Sequence, residues 1–221
     1  MKKILVLLFA VFSICAFAQE KLSEGVITMS QTIESDDETV KAQLAAIGQM
    51  TSTTYFKKGK SRAEVSNKMS GDITVIIDQE SQEMLMLMDN PYMGKSYAKK
   101  VMELTQEQLD NITVVESDET KNVLGYDCKR VDLTVSNKGV ETTIKFFMTE
   151  AIEVPTQQTA IYGGKLKGMP MYMEMTMSQM GMEMMMKFEV TEIKKESVDD
   201  SKFDMSIPEG YKENKALLGD Q

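Results

Sequence analysis

The stretch Met169-Pro170-Met171-Tyr172-Met173-Glu174-Met175-Thr176-Met177-Ser178-Gln179-Met180-Gly181-Met182-Glu183-Met184-Met185-Met186 holds ten methionines in eighteen residues. Met169, Met171, Met173, Met175 and Met177 recur on every second position, as do Met182, Met184 and Met186. A period of two is the strand period, because successive side chains of a strand point to opposite faces. Ser178-Gln179-Met180-Gly181 is turn-prone, so the spacing predicts a β-hairpin whose arms both send methionine to one face. A two-residue or a four-residue loop keeps the two faces together. Burial of eight such side chains is worth on the order of 12–24 kcal/mol, an upper estimate against an extended chain. That face needs a cover: protein core, an apolar ligand or a soft metal ion.

The rest of the chain repeats the pattern in shorter pieces. Residues 25–34 alternate. Thr51 to Lys57 and Lys60 to Met69 flank the turn Lys58-Gly59, and Asp72 to Asp78 and Gln82 to Met88 flank Gln79-Glu80-Ser81. Met84, Met86 and Met88 share a parity and make a second sulfur-rich strand. Lys129 to Ser136 and Val140 to Thr149 surround Asn137-Lys138-Gly139. Leu124, Tyr126 and Cys128 share one parity and Val131, Leu133 and Val135 the other, which suggests a bulge near Lys129 and Arg130. Ser35 with Glu38 reads as a capping box opening a helix that carries Val40, Leu44 and Ile47. Thr105 caps a short helical turn ending near Asn111.

About ten antiparallel strands and one amphipathic helix predict a mainly β (α+β) domain: a curved antiparallel sheet or half-barrel with one main helix across its concave face. Strands lie about 4.8 Å apart and a helix is about 10–12 Å across, so one helix masks about two strands. The remaining apolar face must be hidden by curling or by a guest.

Composition narrows the function. With 25 basic and 34 acidic residues the net charge is −9, which argues against nucleic acid as a partner. There is no histidine, which removes serine-histidine-acid and cysteine-histidine nucleophile systems and almost every ordinary zinc site. The carboxylate pairs Asp36-Asp37 and Asp199-Asp200 sit beside turns and read as solvated caps, and Gly163-Gly164-Lys165 lacks the strand-to-helix setting of a phosphate loop. No enzyme and no cofactor is expected.

Lys2 and Lys3, the apolar run from Ile4 to Phe12, and Ala16-Phe17-Ala18 have the form of a secretory signal peptide cut after Ala18. The expected organisation is a signal over residues 1–18, one β-rich domain over 19–211 and a frayed tail over 212–221, in the periplasm or secreted and not membrane-spanning. Cys128 is then the lone cysteine of the exported chain and is expected as a small buried hydrophobe. Arg62 and Arg130 are expected in surface ion pairs, and Tyr162, Tyr172 and Phe188 as packing or pocket-lining aromatics.

Lys121-Asn122-Val123-Leu124-Gly125-Tyr126-Asp127-Cys128-Lys129, the methionine strands after Gly168-Met169-Pro170, and Val198-Asp199-Asp200-Ser201-Lys202-Phe203 leading to Ile207-Pro208-Glu209-Gly210-Tyr211 carry a resemblance. They resemble an uncharacterised secreted bacterial family, the domain of unknown function numbered 4412, over about Gly25 to Tyr211. That family looks akin to the periplasmic lipoprotein carriers, whose curved half-barrel holds acyl chains under helical lids. The resemblance implies the fold; no site residue is carried over from it.

The functional expectation is a non-enzymatic protein with a methionine-rich apolar pocket for an acyl chain or similar lipid-like ligand. Met84, Met86, Met173, Met175, Met184 and Met186 are the candidate wall. A cuprous-ion site is the sharpest alternative, because thioether sulfur is a soft ligand and facing methionines such as Met175 and Met184 would converge. An interaction module with a solid core is the third.

Overall fold

The structure is a computed structural model that describes residues 21–47, 49–67, 71–137, 140–179 and 182–218. The expected signal peptide, residues 1–18, lies outside the described residues, as do 138–139, 180–181 and 219–221 of the expected turns and tail.

The strands are β1 (Glu24–Ser35), β2 (Met50–Lys57), β3 (Lys60–Asn67), β4 (Gly71–Asp78), β5 (Glu83–Asn90), β6 (Gly94–Val101), β7 (Ile112–Val123), β8 (Tyr126–Asn137), β9 (Val140–Thr149), β10 (Met169–Gln179), β11 (Met182–Lys194) and β12 (Lys212–Glu213). The helices are α1 (Glu38–Ile47), α2 (Gln106–Asp110) and α3 (Gln157–Ala160). Among the described residues these twelve strands form one open, curved sheet in the order β12-β6-β5-β4-β3-β2-β1-β11-β10-β9-β8-β7. Every pairing between these strands is antiparallel except β12 with β6, and an isolated bridge between Leu22 and Ile152 is also parallel. The protein is therefore mainly β with a few short helices.

The methionine hairpin forms as β10 and β11, with Gln179 opposite Met182, so two residues separate the arms. Its single-face reading holds only from Met173 onward. The β9–β10 register slips between Pro170 and Tyr172. Proline has no N–H to give the ladder, and such residues sit at bulges or edges. Gly168 sets up this slip: at φ +86° it lies so close to Thr149 that a Cβ there would stand 2.4 Å from the Thr149 carbonyl oxygen.

Two expectations shift by a few residues. Ser35 is not the cap of α1: it still pairs with Met184 as the last residue of β1, and its hydroxyl donates to the Glu183 carbonyl at 3.2 Å. The cap is Asp37, whose Oδ1 accepts from the N–H groups of Thr39 at 2.8 Å and Val40 at 3.0 Å. The bulge foreseen near Lys129 and Arg130 lies in the neighbouring strand, between Glu116 and Thr120 of β7, while β8 itself runs in unbroken register against β9. The two parities of β8 are simply two covered faces. Leu124-Gly125 is the turn between β7 and β8, with φ +52° and +85°, a pair of left-handed residues that a two-residue hairpin requires. The short helix after Thr105 forms as expected, with Thr105 and Gln108 making a reciprocal capping box and Asn111 at its end.

Register sorts the side chains into two faces. The inner face carries Met84, Met86 and Met88 of β5, opposite Ile77, Val75 and Ile73 of β4. It continues through Ala63, Thr54, Met29 and Phe188 to Met173, Phe146 and Val131. The outer face is apolar too where β4 and β5 run side by side: Ile76, Leu85 and Leu87 are at most 7% exposed.

The chain after β11 explains this second buried face. Val198 and Phe203 pack with Val26 and Tyr55, and Met205 and Tyr211 with Ile76, Leu85 and Leu87. The segment then pairs with edge strand β6 as β12, and a 3₁₀ turn over Lys215–Leu218 brings Leu217 and Leu218 onto Val75, Ile77, Met84 and Met86 of the inner face. The expected frayed tail is thus a strap around the sheet edge up to Leu218. Two half-buried leucines give it an apolar anchor that the strand period does not announce.

Candidate functional site

The inner face carries a cleft of about 660 Å³, within the usual range for small-molecule sites. Its floor comes from β1 to β5, β10 and β11: Met29, Met50, Ala63, Val65, Ile73, Val75, Met86, Met88, Met169 and Phe188, interspersed with Thr and Ser. Its rim comes from the Pro155–Gln158 segment and from Ala216 and Leu217. Both parts are tied down. The Ser61 hydroxyl, 2% exposed, donates to the Pro155 carbonyl. Thr156 and Thr159 close a capping box at the start of α3, whose Ala160 packs beside Leu217 on the Val75–Met86 cluster.

Among the described residues lining this cleft, none is charged. In a chain with 27% charged residues that is a selective feature. Two other clefts differ: one of about 570 Å³ is lined by residues that include Lys21, Glu150, Glu153 and Lys167, and one of about 1080 Å³ by residues that include Arg62, Glu64, Asp72 and Asp89. Polar lining in the uncharged cleft is limited to hydroxyls and amides, which fix orientation without demanding a counter-charge.

The six candidate methionines divide three ways. Met86 lines the cleft. Met84, at 2% exposure, and Met173, at 7%, are packed core: the first with Val75 and Ile77, the second with Leu133, Ile144 and Phe146. Met175, Met184 and Met186 are half-buried toward the far end of the hairpin and do not line the cleft. The foreseen facing pair Met175 and Met184 is not a pair: Met175 stands opposite Met186, and Met184 opposite Met177.

Methionine positions that the hairpin pattern did not reach, Met29 and Met50, contribute to the floor. Met50 accepts an N–H from the Asn67 side chain at 3.4 Å. The signal for Met29 was present in the alternation of β1. Nothing in Pro155–Gln158 or Ala216–Leu217 has a period, and those residues were not legible as lining.

The aromatic and charged candidates resolve as packing and pairing. Phe188 is in the cleft floor. Tyr172 lies on the opposite face from Met173: its hydroxyl donates to Glu174 Oε1 at 2.6 Å, and Lys121 Nζ sits 3.3 Å from its ring centroid. Burial, with Glu174 beside it, raises the Tyr172 phenol above its ordinary range. Tyr162 packs against the Phe146 cluster, and burial raises its phenol as well. Arg62 pairs with Glu64, and Arg130 with Asp132 and Glu119. Asp199 caps the 3₁₀ turn Asp200–Phe203, and Asp200 pairs with Lys57 at 2.8 Å. Cys128 is fully buried among Val123 and Phe147, and burial pushes its thiol up to about 11.

Residues 24–211 match the domain of unknown function DUF4412, and the chain belongs to that family. No curated protein matches it. Two solved structures of PNGF-II, in C2 and P21 space groups, are similar at 16% and 14% identity, each with a TM-score of 0.49 and covering 88% of this chain. The chain spans 32% of the length of those PNGF-II chains. Among the described residues no helix is long and apolar enough to cross a membrane.

Proposed function

We propose that this protein is an exported, non-enzymatic binding protein that holds an apolar ligand, an acyl chain or a similar lipid-like molecule, in the inner cleft of its curved sheet. The uncharged lining of the 660 Å³ cleft carries this reading. A guest with a charged group inside would meet no counter-charge there, whereas a hydrocarbon replaces water against methionine, valine and phenylalanine. Methionine suits such a floor because its unbranched thioether repacks around different shapes.

On this reading the covers are the α3 segment and the Lys215–Leu218 turn, and the expected main helix, α1, contributes none of the described residues that line the cleft. The arrangement is akin to the lipoprotein carriers in principle, a curved sheet with small lids. Cleavage after Ala18 would place the domain in the periplasm or outside the cell, where loose acyl chains need a carrier.

The test is displacement of a fluorescent fatty acid, with native mass spectrometry of the purified protein to recover co-purified lipid. Ala63→Phe places a ring in the cleft floor and is expected to weaken probe binding at least tenfold while the melting temperature stays within a few degrees. Failure of the unmodified protein to bind any acyl probe, with no lipid recovered, would overturn the reading.

A further inference from the structure

We propose that the far end of the methionine hairpin is a separate thioether site for a soft monovalent cation, cuprous ion above all. The observation is the register itself. Met175 pairs with Met186 and Met177 with Met184, and all four project from the inner face.

Paired Cβ atoms lie about 4.5–5.5 Å apart, and same-face neighbours along a strand about 7 Å apart. The four Cβ atoms therefore frame a rectangle whose centre is about 4.3 Å from each corner. A thioether sulfur lies two bonds beyond Cβ, and a metal–sulfur bond is about 2.3 Å, so four sulfurs reach one ion at that centre with the backbone where it stands. A four-residue hairpin loop would give the same rectangle shifted along the strands; the observed register selects these four.

Burial agrees with a working site. All four side chains are half-buried, whereas Met84 and Met173 are buried members of clusters; of the four, Met175 leans on the edge of the Leu133–Phe146 cluster. Among the described residues Met177, Met184 and Met186 belong to none of the five buried clusters. Gln31 Nε2 donates to Met186 Sδ at 3.3 Å, so this sulfur already presents a lone pair to a polar partner.

The ligand chemistry follows from the donors. Thioethers are neutral, soft and do not titrate in water, so they take cuprous or silver ion and leave magnesium, calcium and zinc to oxygen, nitrogen and thiolate ligands. Binding transfers no electron and releases no proton. The ion keeps its single positive charge, which the net charge of −9 on the chain favours. None of the four methionines lines the apolar cleft, so the two sites are separable by mutation.

The experiment is an anaerobic titration of the purified full chain with cuprous ion against a chromogenic chelator. It is paired with silver-ion titration read by NMR of ¹³C-methyl methionine. The expected result is one equivalent bound and selective movement of four methyl signals. The double change Met175→Leu with Met186→Leu, near-conserving in volume, should weaken binding at least a hundredfold, whereas Met86→Leu and Met88→Leu leave it unchanged. No competition with the chelator, or methyl shifts spread over methionines elsewhere, would overturn the proposal. The methyl spectrum of the unmodified protein decides this even where a variant folds poorly, and neither result depends on acyl-probe binding.

Discussion

Leu217 packs on the same buried cluster as Met86, although one belongs to the closing 3₁₀ turn and the other to the middle of β5. The contact exists because the chain crosses the outer face after β11, rounds the edge at β12 and re-enters on the inside. It makes the end of the chain a structural part of the cleft.

Ending the chain at Glu213 should therefore expose the Val75–Met86 cluster. Two half-buried leucines represent about 1–3 kcal/mol of apolar burial. Urea denaturation should show a lower midpoint, and an environment-sensitive apolar dye should bind more strongly. An unchanged midpoint together with unchanged dye binding would mean that the strap contributes nothing.

Neighbouring methionines of β5 should respond unequally. Met84→Ala removes a side chain that is 2% exposed and should cost about 2–5 kcal/mol through lost transfer energy and a cavity. Met88→Ala removes a half-buried cleft residue and should cost about 1 kcal/mol. Equal losses in denaturant titrations would erase the distinction between core and wall.

Acid should weaken the fold partly through Glu174. The Tyr172 hydroxyl at 2.6 Å and Lys145 Nζ at 2.9 Å hold this carboxyl below its usual value. A carboxyl depressed in the folded state contributes stability above its unfolded pKa of about 4.3, and that stability is lost as pH falls through the folded value. Melting temperatures taken from neutral pH downward should therefore fall more steeply below about pH 4 for the unmodified protein than for Glu174→Gln. Parallel curves would show that the pair has no net effect on folding.

The Cys128 thiol should be inert in the folded chain. Buried among Val123 and Phe147 and pushed up to about 11, it offers almost no thiolate at mildly alkaline pH. In a Cys15→Ser background, a thiol reagent should label Cys128 only after denaturant is added. Rapid labelling of the native protein would place the thiol at the surface.

Much of the hairpin architecture is legible in the residues, because turns and period-two alternation are local. Lys58-Gly59 and the arms around Met180-Gly181 announce their hairpins directly. The unbroken apolar run Met84-Leu85-Met86-Leu87-Met88 also carried a message that alternation alone misses: a strand apolar on both parities is covered on both faces. Here the outer cover is Met205 and Tyr211. Pro170 marked a break in the methionine pattern, and its consequence is a slip that leaves Met169 and Met171 in the cluster of Ile27 and Phe56.

Sequence by itself determined that the chain is mainly β, which residues alternate together, and that sulfur-rich faces need covering. Only the tertiary structure decided which methionines became core, which floor a cleft and which gather in a half-buried quartet. The reason is that the strand period assigns a side chain to a face, whereas cover arrives from aperiodic segments such as Pro155–Gln158 and Ala216–Leu218, brought there by the path of the folded chain.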